Sequence, residues 1–512
     1  MCKPLIIILF FLYLHLVKCD KLCQKRLTSD GSICVCNSSY CDTVPHLVKD
    51  MKPGKYQLYS TSKESIGFTS TLGNFLNKDE HQTDIDNVLT IKNLVTLNQT
   101  IIGFGGAFTD SAGINILKLS KRVQEQLLQS YFGDEGVQYS VCRIPMGGTD
   151  FSIRGYTYCD QCNESLDGFT LQEEDIKFKI PLIQKATKIR GRNNIKYFAS
   201  AWTAPTWMKT SGTLTGKGTI KEKYLDLWAQ YYLKFVEAYR DHDINIWGIT
   251  TQNEPVNGVV GSKIPANGFT SGQMIKWIRD ALGPAVRNSS FKDLKIMLHD
   301  EQRILLPVLN LFILSDSKVL EYADGIAVHW YTDFIAPAAT LLLSTSDKKN
   351  LFRLASEACA GYREEEQPVV LGSWERAEEY LNSIMDDLRY GLSGWVDWNI
   401  ALDEEGGPNY VNNNVDSPII INSTADEFYK QPMFYALGHF SKFLISNSIR
   451  IDVEVFGKDL DSLGFLRPDG KVALIIRNRS ENRKKIQLNA LEFVGSFTVD
   501  AHSINTVIFV PK

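Results

Sequence analysis

The stretch INIWGITTQNEPVNG, residues 244–258, decides how this chain is read. A short apolar run, INIWGI, gives way to a polar turn in which Glu254 stands between an amide and a proline. The run has the length and composition of a buried strand, and the turn residues mark its end. Glu254 has two readings at this point: a helix-capping acid or a catalytic one.

Seven further runs of the same kind surround it: TIIGFGG (100–106), YSVCRIP (139–145), IKYFASAW (195–202), LKIMLHD (294–300), DGIAVHW (324–330), FRLASEA (352–358) and LSGWVDWN (392–399). Amphipathic helical stretches lie between several of them. In SKRVQEQLLQSYFG (120–133), Val123, Leu127 and Tyr131 recur every four residues, Ser120 is placed to cap the start and Gly133 to end it. YLDLWAQYYLKFVEAYR (224–240) and WERAEEYLNSIMDDLRYG (374–391) have the same character. Eight strands interleaved with helices predict a (β/α)8 TIM barrel over 98–445. An open doubly wound sheet would call for a phosphate-binding glycine fingerprint after the first strand, and GFGGAFTD lacks the G-x-G-x-x-G spacing.

Both ends of the chain have a different texture. KYQLYSTS, SIGFTSTL and VLTIKNLVTL in 55–97, and IRIDVEVF, LDSLGFL, KVALIIRN and INTVIFV after 446, read as short strands separated by turns. They predict one β-sandwich domain formed from both ends of the chain, 51–97 with 446–512; two separate β modules are the alternative. Residues 20–50 form a small cysteine-rich β region ahead of it.

The chain has 512 residues, 44% hydrophobic and 22% charged, enough for one large core and a smaller one. With 55 basic and 59 acidic residues and no basic block, nothing favours a nucleic-acid partner. Residues 1–19, MCKPLIIILFFLYLHLVKC, pair an early lysine with an apolar run from Leu5 to Leu14 and read as a cleaved secretory signal, a run too short for a bilayer-spanning anchor. That route implies an oxidising lumen. Cys23, Cys34, Cys36 and Cys41 are then disulfide partners with three possible connectivities, of which Cys23–Cys34 with Cys36–Cys41 is preferred. The CVC spacing, with no histidine nearby, suits zinc poorly. Cys159 and Cys162 in CDQC read as a loop staple rather than a redox pair, and Cys142 and Cys359 as unpaired. Sequons occur at Asn37, Asn98, Asn163, Asn288, Asn422 and Asn478.

Placed in a barrel, Glu254 acquires a meaning. Active sites of such barrels lie at the C-terminal ends of the strands; Glu254 follows the fourth strand and Glu357 ends the seventh. Two carboxyls facing one mouth are the apparatus of glycoside hydrolysis. Other strand ends bring Asp150, Trp202, His329, Trp330, Tyr331, Trp395, Trp398 and Asn399, a mixture that suits the apolar faces and hydroxyls of a sugar. Trp207 and Trp247 read as core filling.

TQNEP, ASEAC, FGGAFTD, AWTAPTWMKT, HWY, GWVDWN, EGGPNYV, DSPII and FYKQPMFYALGHFSKF resemble the motifs of the glucosylceramidases of glycoside hydrolase family 30, over nearly the whole chain from residue 23 onward. The resemblance implies a retaining hydrolase that splits glucosylceramide into glucose and ceramide in the lysosomal lumen. Glu254 would be the acid/base, Glu357 the nucleophile, and Asp150, Trp202, Asn253, His329, Tyr331, Trp398 and Asn413 would surround the sugar. It implies no metal or organic cofactor. Its partners would be membrane-held glucosylceramide, a saposin-type activator and anionic lipid, approached through DFIAPAATLLL (333–343) and the loop around Tyr410. A hydrolase of other β-glycosides and an inactive carbohydrate-binding homologue are the alternatives, and the second should have lost a glutamate. The CDQC loop and the run Asn412, Asn413, Asn414 depart from the family pattern and bear on the aglycone contacts.

Overall fold

The computed structural model describes residues 20–77, 87–162, 164–345 and 350–511. The expected signal segment and the sequon at Asn163 lie outside the described residues. Eight parallel strands close into a barrel: β1 (Gly103–Ala107), β2 (Val141–Met146), β3 (Lys196–Ala201), β4 (Ile246–Thr250), β5 (Lys295–Gln302), β6 (Gly325–His329), β7 (Phe352–Glu357) and β8 (Gly394–Asn399). Each of the eight predicted runs supplies one of them. Val141, Phe198, Met297, Ala327, Leu354 and Val396 point inward from six strands and plug the barrel as one apolar cluster. Strand alternation then sends the next inward residues to the mouth.

The outer layer includes helices α1 (Lys121–Phe132), α2 (Leu225–Asp241), α3 (Leu306–Phe312), α4 (Ala339–Thr345), α5 (Trp374–Arg389) and α6 (Pro432–Phe443). In α5 the buried Ala377, Tyr380, Leu381, Ile384 and Leu388 form one stripe at helical spacing, and the Ser373 side chain accepts a hydrogen bond from the Arg376 amide to cap the start. Helix α1 covers the predicted stretch with one correction. Ser120 occupies the cap position, but its hydroxyl makes no capping bond; its amide instead donates to Asp426 Oδ1 at 2.7 Å.

Strands from the two chain ends pair with each other. Lys55–Ser62 runs antiparallel to Ser503–Phe509 in the middle of a seven-stranded sheet, with Tyr59 opposite Thr506. A five-stranded sheet containing Val88–Ile91 and Lys484–Ala490 packs against it, and Leu58, Leu474 and Val507 share one core with Leu89, Ile486 and Leu488. This is the β-sandwich. The cysteine-rich strands Lys25–Leu27 and Ser32–Asn37 complete a third sheet with Glu427–Lys430, Ile419–Asn422 and Leu402–Asp403, drawn from the stretch after β8.

The disulfides are Cys23–Cys34, Cys36–Cys41 and Cys159–Cys162, while Cys142 and Cys359 are free and buried. Of the described sequons, Asn98 and Asn288 are exposed and Asn37 and Asn422 half-buried. Asn478 is a correction. It is fully buried, and the Nδ2 that would carry a glycan donates to the carbonyls of Asn482 and Asp500 at 2.9 and 2.7 Å.

Candidate active site

Glu254 sits one turn beyond β4 with φ 40° and ψ 61°, a left-handed conformation that is strained for a side chain of this size. Two features hold it there: its amide donates to the Asp300 carbonyl at 2.9 Å, and Pro255 begins a short helix, Pro255–Val260. It therefore stands at a helix cap, yet its carboxylate makes no capping bond. Oε1 accepts from Gln302 Nε2 at 2.7 Å and lies 2.9 Å from His329 Nδ1, while Oε2 accepts from Asn257 Nδ2 at 2.6 Å. The backbone aims the acid into the barrel mouth and away from the helix end.

Glu357 enters the same mouth from the end of β7. Its Oε1 accepts from the Tyr331 hydroxyl at 2.8 Å, and its Oε2 from Arg143 Nη1. Oxygens of Glu254 and Glu357 and a ring nitrogen of His329 lie within 4.8 Å of one another. Burial would lower the His329 ring, but Glu357, Asp300 and Glu254 outweigh it and push it up to about 10. Nδ1 faces Glu254 and Nε2 faces Asp300 Oδ1 at 3.1 Å.

Beneath the two glutamates lies a network that sequence reading missed. Arg143, fully buried on β2, donates from Nε to Ser200 Oγ at 3.0 Å, from Nη2 to Asn253 Oδ1 at 2.8 Å and Asp300 Oδ2 at 2.7 Å, and from Nη1 to Glu357. Asp300 also accepts from Thr250 Oγ1 and Ser356 Oγ, both at 2.6 Å. Burial would raise Asp300, but Arg143 and His329 outweigh it and hold the carboxyl well below the ordinary range. Glu357 is balanced differently: burial pushes it up while His329 and Arg143 pull it down, and the net direction is up.

The cavity above has a volume of about 180 Å³ and is lined by Asp150, Trp202, Tyr331, Trp398 and Asn413 around the two glutamates. That is room for one sugar ring. Trp202 and Trp398 stack at 4.9 Å with 12° between their planes and form an apolar wall. Asn413 Nδ2 donates to Asp150 Oδ2 at 2.8 Å, leaving the buried Asp150 Oδ1 without a partner among the described residues. Burial with little compensating charge pushes Asp150 up to about 7. Asn253 and His329 stand behind the acids. The Asn253 carbonyl oxygen is held by Arg143, which leaves its amide nitrogen as the donor.

Two predicted rim residues are elsewhere. Trp395 and Trp330 face the helix layer, where they pack against Tyr380 of α5, and the Trp395 Nε1 donates to Ser383 Oγ at 3.2 Å. The reason for Trp395 is parity: with Val396 and Trp398 pointing inward, Trp395 must point out. Asn399 is fully buried and accepts from Thr109 Oγ1 at 2.7 Å. Of the core-filling pair, Trp207 donates to the Cys159 carbonyl and packs edge-on against Tyr224, and Trp247 packs against Phe352.

Residues 101–444 match the glycosyl hydrolase family 30 TIM-barrel domain, and residues 447–507 match the beta sandwich domain of the same family. Lysosomal acid glucosylceramidase of Mus musculus is 44% identical over 494 residues, covering 95% of each chain. Putative glucosylceramidase 4 of Caenorhabditis elegans is 39% identical over 504 residues, again 95% of each. Among solved structures, that of SrfJ from Salmonella typhimurium superposes with a TM-score of 0.81 at 24% identity, covering 90% of this chain and 100% of that one, which bears on the fold.

Proposed function

This chain belongs to glycosyl hydrolase family 30, and from that premise we propose that it is a retaining β-glucosidase acting on glucosylceramide. The observation that carries the mechanism is the spacing of the glutamates. Inverting enzymes need room between the carboxyls for a water, while retaining ones place them about 5–5.5 Å apart. Oxygens of Glu254 and Glu357 within 4.8 Å of each other support the retaining case.

Glu357 attacks the anomeric carbon as a carboxylate while Glu254 gives its proton to the departing ceramide oxygen. The C–O bond to ceramide breaks as the glucosyl ester forms. Glu254, now a carboxylate, takes a proton from water as that water attacks the anomeric carbon, releasing β-glucose and freeing Glu357. Arg143 and Tyr331 hold the nucleophile, one donor on each oxygen. Asp150 with Asn413 receives sugar hydroxyls, the Asn253 amide nitrogen reaches the 2-hydroxyl, and Trp202 and Trp398 face the apolar side of the ring.

The lipid substrate is supported by the 44% identity to a lysosomal acid glucosylceramidase. We place the protein in the lysosomal lumen, reached by the secretory route and peripheral to the membrane. No described helix is long and apolar enough to cross a membrane. Phe334 and Ile335, 67% and 57% exposed, and Tyr410 offer apolar side chains for approaching a bilayer with anionic lipid or a saposin-type activator. The deciding experiment incubates purified protein with glucosylceramide and galactosylceramide at acidic pH and measures free hexose. Release from the galactolipid alone, or from neither, would refute the assignment.

A further inference from the structure

Asn257 lies three residues past Glu254, in the first turn of the helix Pro255–Val260, and that spacing sets the two side chains next to each other. Residues in these positions commonly form a capping box, in which the first side chain serves a helix amide and the later one reaches back to the first residue's amide. Here neither bond is made. The Glu254 amide donates to the Asp300 carbonyl at 2.9 Å, and the Glu254 carboxylate makes no capping bond. The helix start is satisfied from elsewhere: Pro255 has no N–H, the Val256 amide donates to Glu301 Oε2 at 3.1 Å, and the Asn257 amide donates to the Glu254 carbonyl at 3.0 Å. Both side chains are free of backbone duty, and they bind each other, Asn257 Nδ2 donating to Glu254 Oε2 at 2.6 Å.

The two oxygens of Glu254 are not equivalent. Oε1 accepts from Gln302 Nε2 at 2.7 Å and faces His329 Nδ1 at 2.9 Å. An amide nitrogen can only donate, so in the protonated acid Oε1 is the better carbonyl oxygen and the proton belongs on Oε2. Among the described residues Asn257 alone is hydrogen-bonded to Oε2, and that bond is the only one its side chain makes. The residue is half-buried, so the amide can turn. It donates Nδ2–H to a carboxylate and offers Oδ1 to a carboxylic hydroxyl. The titratable groups that face Glu254 come from four other strand ends: Asp150, Glu301, His329 with Tyr331, and Glu357. Asn257 adds no charge to this set.

We propose that Asn257 is a positioning residue for the reaction: it holds Glu254 Oε2, the oxygen from which the proton leaves, and steadies the carboxylate that takes a proton from water in the second step. The proposal rests on the reading of Glu254 as the acid/base. A donor on a carboxylate oxygen favours the ionised form over the acid. The first step uses the acid and the second the carboxylate, so removing the donor extends the first to higher pH and weakens the second.

The test is the pH dependence of kcat/KM on a glucoside with a poor leaving group, whose departure needs the acid, measured on the full mature protein and its Asn257 variants with thermal unfolding beside each. Asn257→Ala should move the alkaline limb up by about 0.5–1 pH unit, the share of one donor to a charged group. Asn257→Asp, which has nearly the same shape and turns a carboxylate toward Oε2, should move it up by about 1–2 units. At pH 5, turnover of an aryl glucoside with a good leaving group, limited by the second step, should slow about 3–10-fold in Asn257→Ala, and azide, which needs no base, should restore it. A merely structural role would lower the melting temperature and leave the limb in place. An alkaline limb that survives Glu254→Ala would overturn the acid/base reading and this proposal with it. A limb that depends on Glu254 but stands unmoved in either folded Asn257 variant, or moves to lower pH, would overturn this proposal alone.

Discussion

Replacing Arg143 by methionine tests the reasoning at its deepest point, because this side chain touches no substrate and was assigned its importance from geometry alone. Its guanidinium serves Glu357, Asp300, Asn253 and Ser200, all within the barrel. Methionine has similar bulk, so the loss is of charge and donors. Two costs follow. Breaking a buried ion pair by removing one partner costs about 3–5 kcal/mol, because the remaining charge is left uncompensated. An opposite charge at contact range lowers a carboxylate by about 1–3 pKa units, so its removal should raise Glu357, already pushed up by burial, by about that amount. The acidic limb of the kcat/KM profile on an aryl glucoside should then move up by about 1–2 pH units, and activity at pH 5 should fall about 10–100-fold. Arg143→Lys should restore the limb in part, since it returns the charge, while kcat stays low, since an ammonium cannot span four partners. Thermal unfolding at each pH separates folding loss from chemistry. A folded Arg143→Met protein whose acidic limb has not moved would refute the claim that Arg143 holds Glu357 in its reactive form.

Glu254→Ala should cripple turnover of the natural lipid while aryl glucosides with good leaving groups still form the covalent intermediate. Added azide should rescue them as β-glucosyl azide; an α-azide would mean that the mechanism inverts. Stability should fall as pH rises from 5 to 8. Asp150 and Glu301 at about 7, Asp333 at about 8 and Asp387 at about 6 are all raised above their unfolded values, so the stability they contribute is full below about pH 4 and is lost through pH 6–8. His299 and His439, lowered to about 3, contribute in the opposite sense, losing stability as pH falls below about 6.5, but they are fewer. A Tm at pH 7.5 equal to or above that at pH 5 would contradict this sum. Anionic vesicles should stimulate hydrolysis of the lipid more than that of a soluble glucoside, and Ile335→Ser with Leu311→Ser, both exposed, should remove the difference. Equal stimulation of both substrates would count against a membrane-facing patch.

How much of this was legible in the sequence depended on parity and on backbone regularity. The eight strands were readable because each is a short apolar run closed by turn residues. Glu254 and Glu357 were readable as mouth residues because Glu357 ends such a run and Glu254 lies in the turn just beyond one. Trp395 was misplaced on the rim, although the information was present: in GWVDWN the alternation that sends Trp398 inward sends Trp395 to the helices. Arg143 was also within reach, since a charge sharing the parity of the inward Val141 has no solvent to meet. Asp300 was not. Counting from the inward Met297, regular alternation would turn Asp300 outward; the register shift between His299 and Glu301, with φ of 79° and 58° at His299 and Asp300, reverses it. That bulge contains no glycine to announce it.

The buried charges at the barrel mouth bear on the acidic lumen we propose for this protein. Two cations, Arg143 and His329, share the interior with Asp300 and Glu357, and these four can balance. Burial and the neighbouring glutamates drive Asp150 and Glu301 up to about 7, with His329 opposing this only in part at Glu301. Near neutrality each added negative charge would fall on a site that cannot hydrate it. On the proposed function, the loss of these two protons as pH rises through about 7 should coincide with falling glucosidase activity, and a profile of activity that stays flat across that range would count against the link.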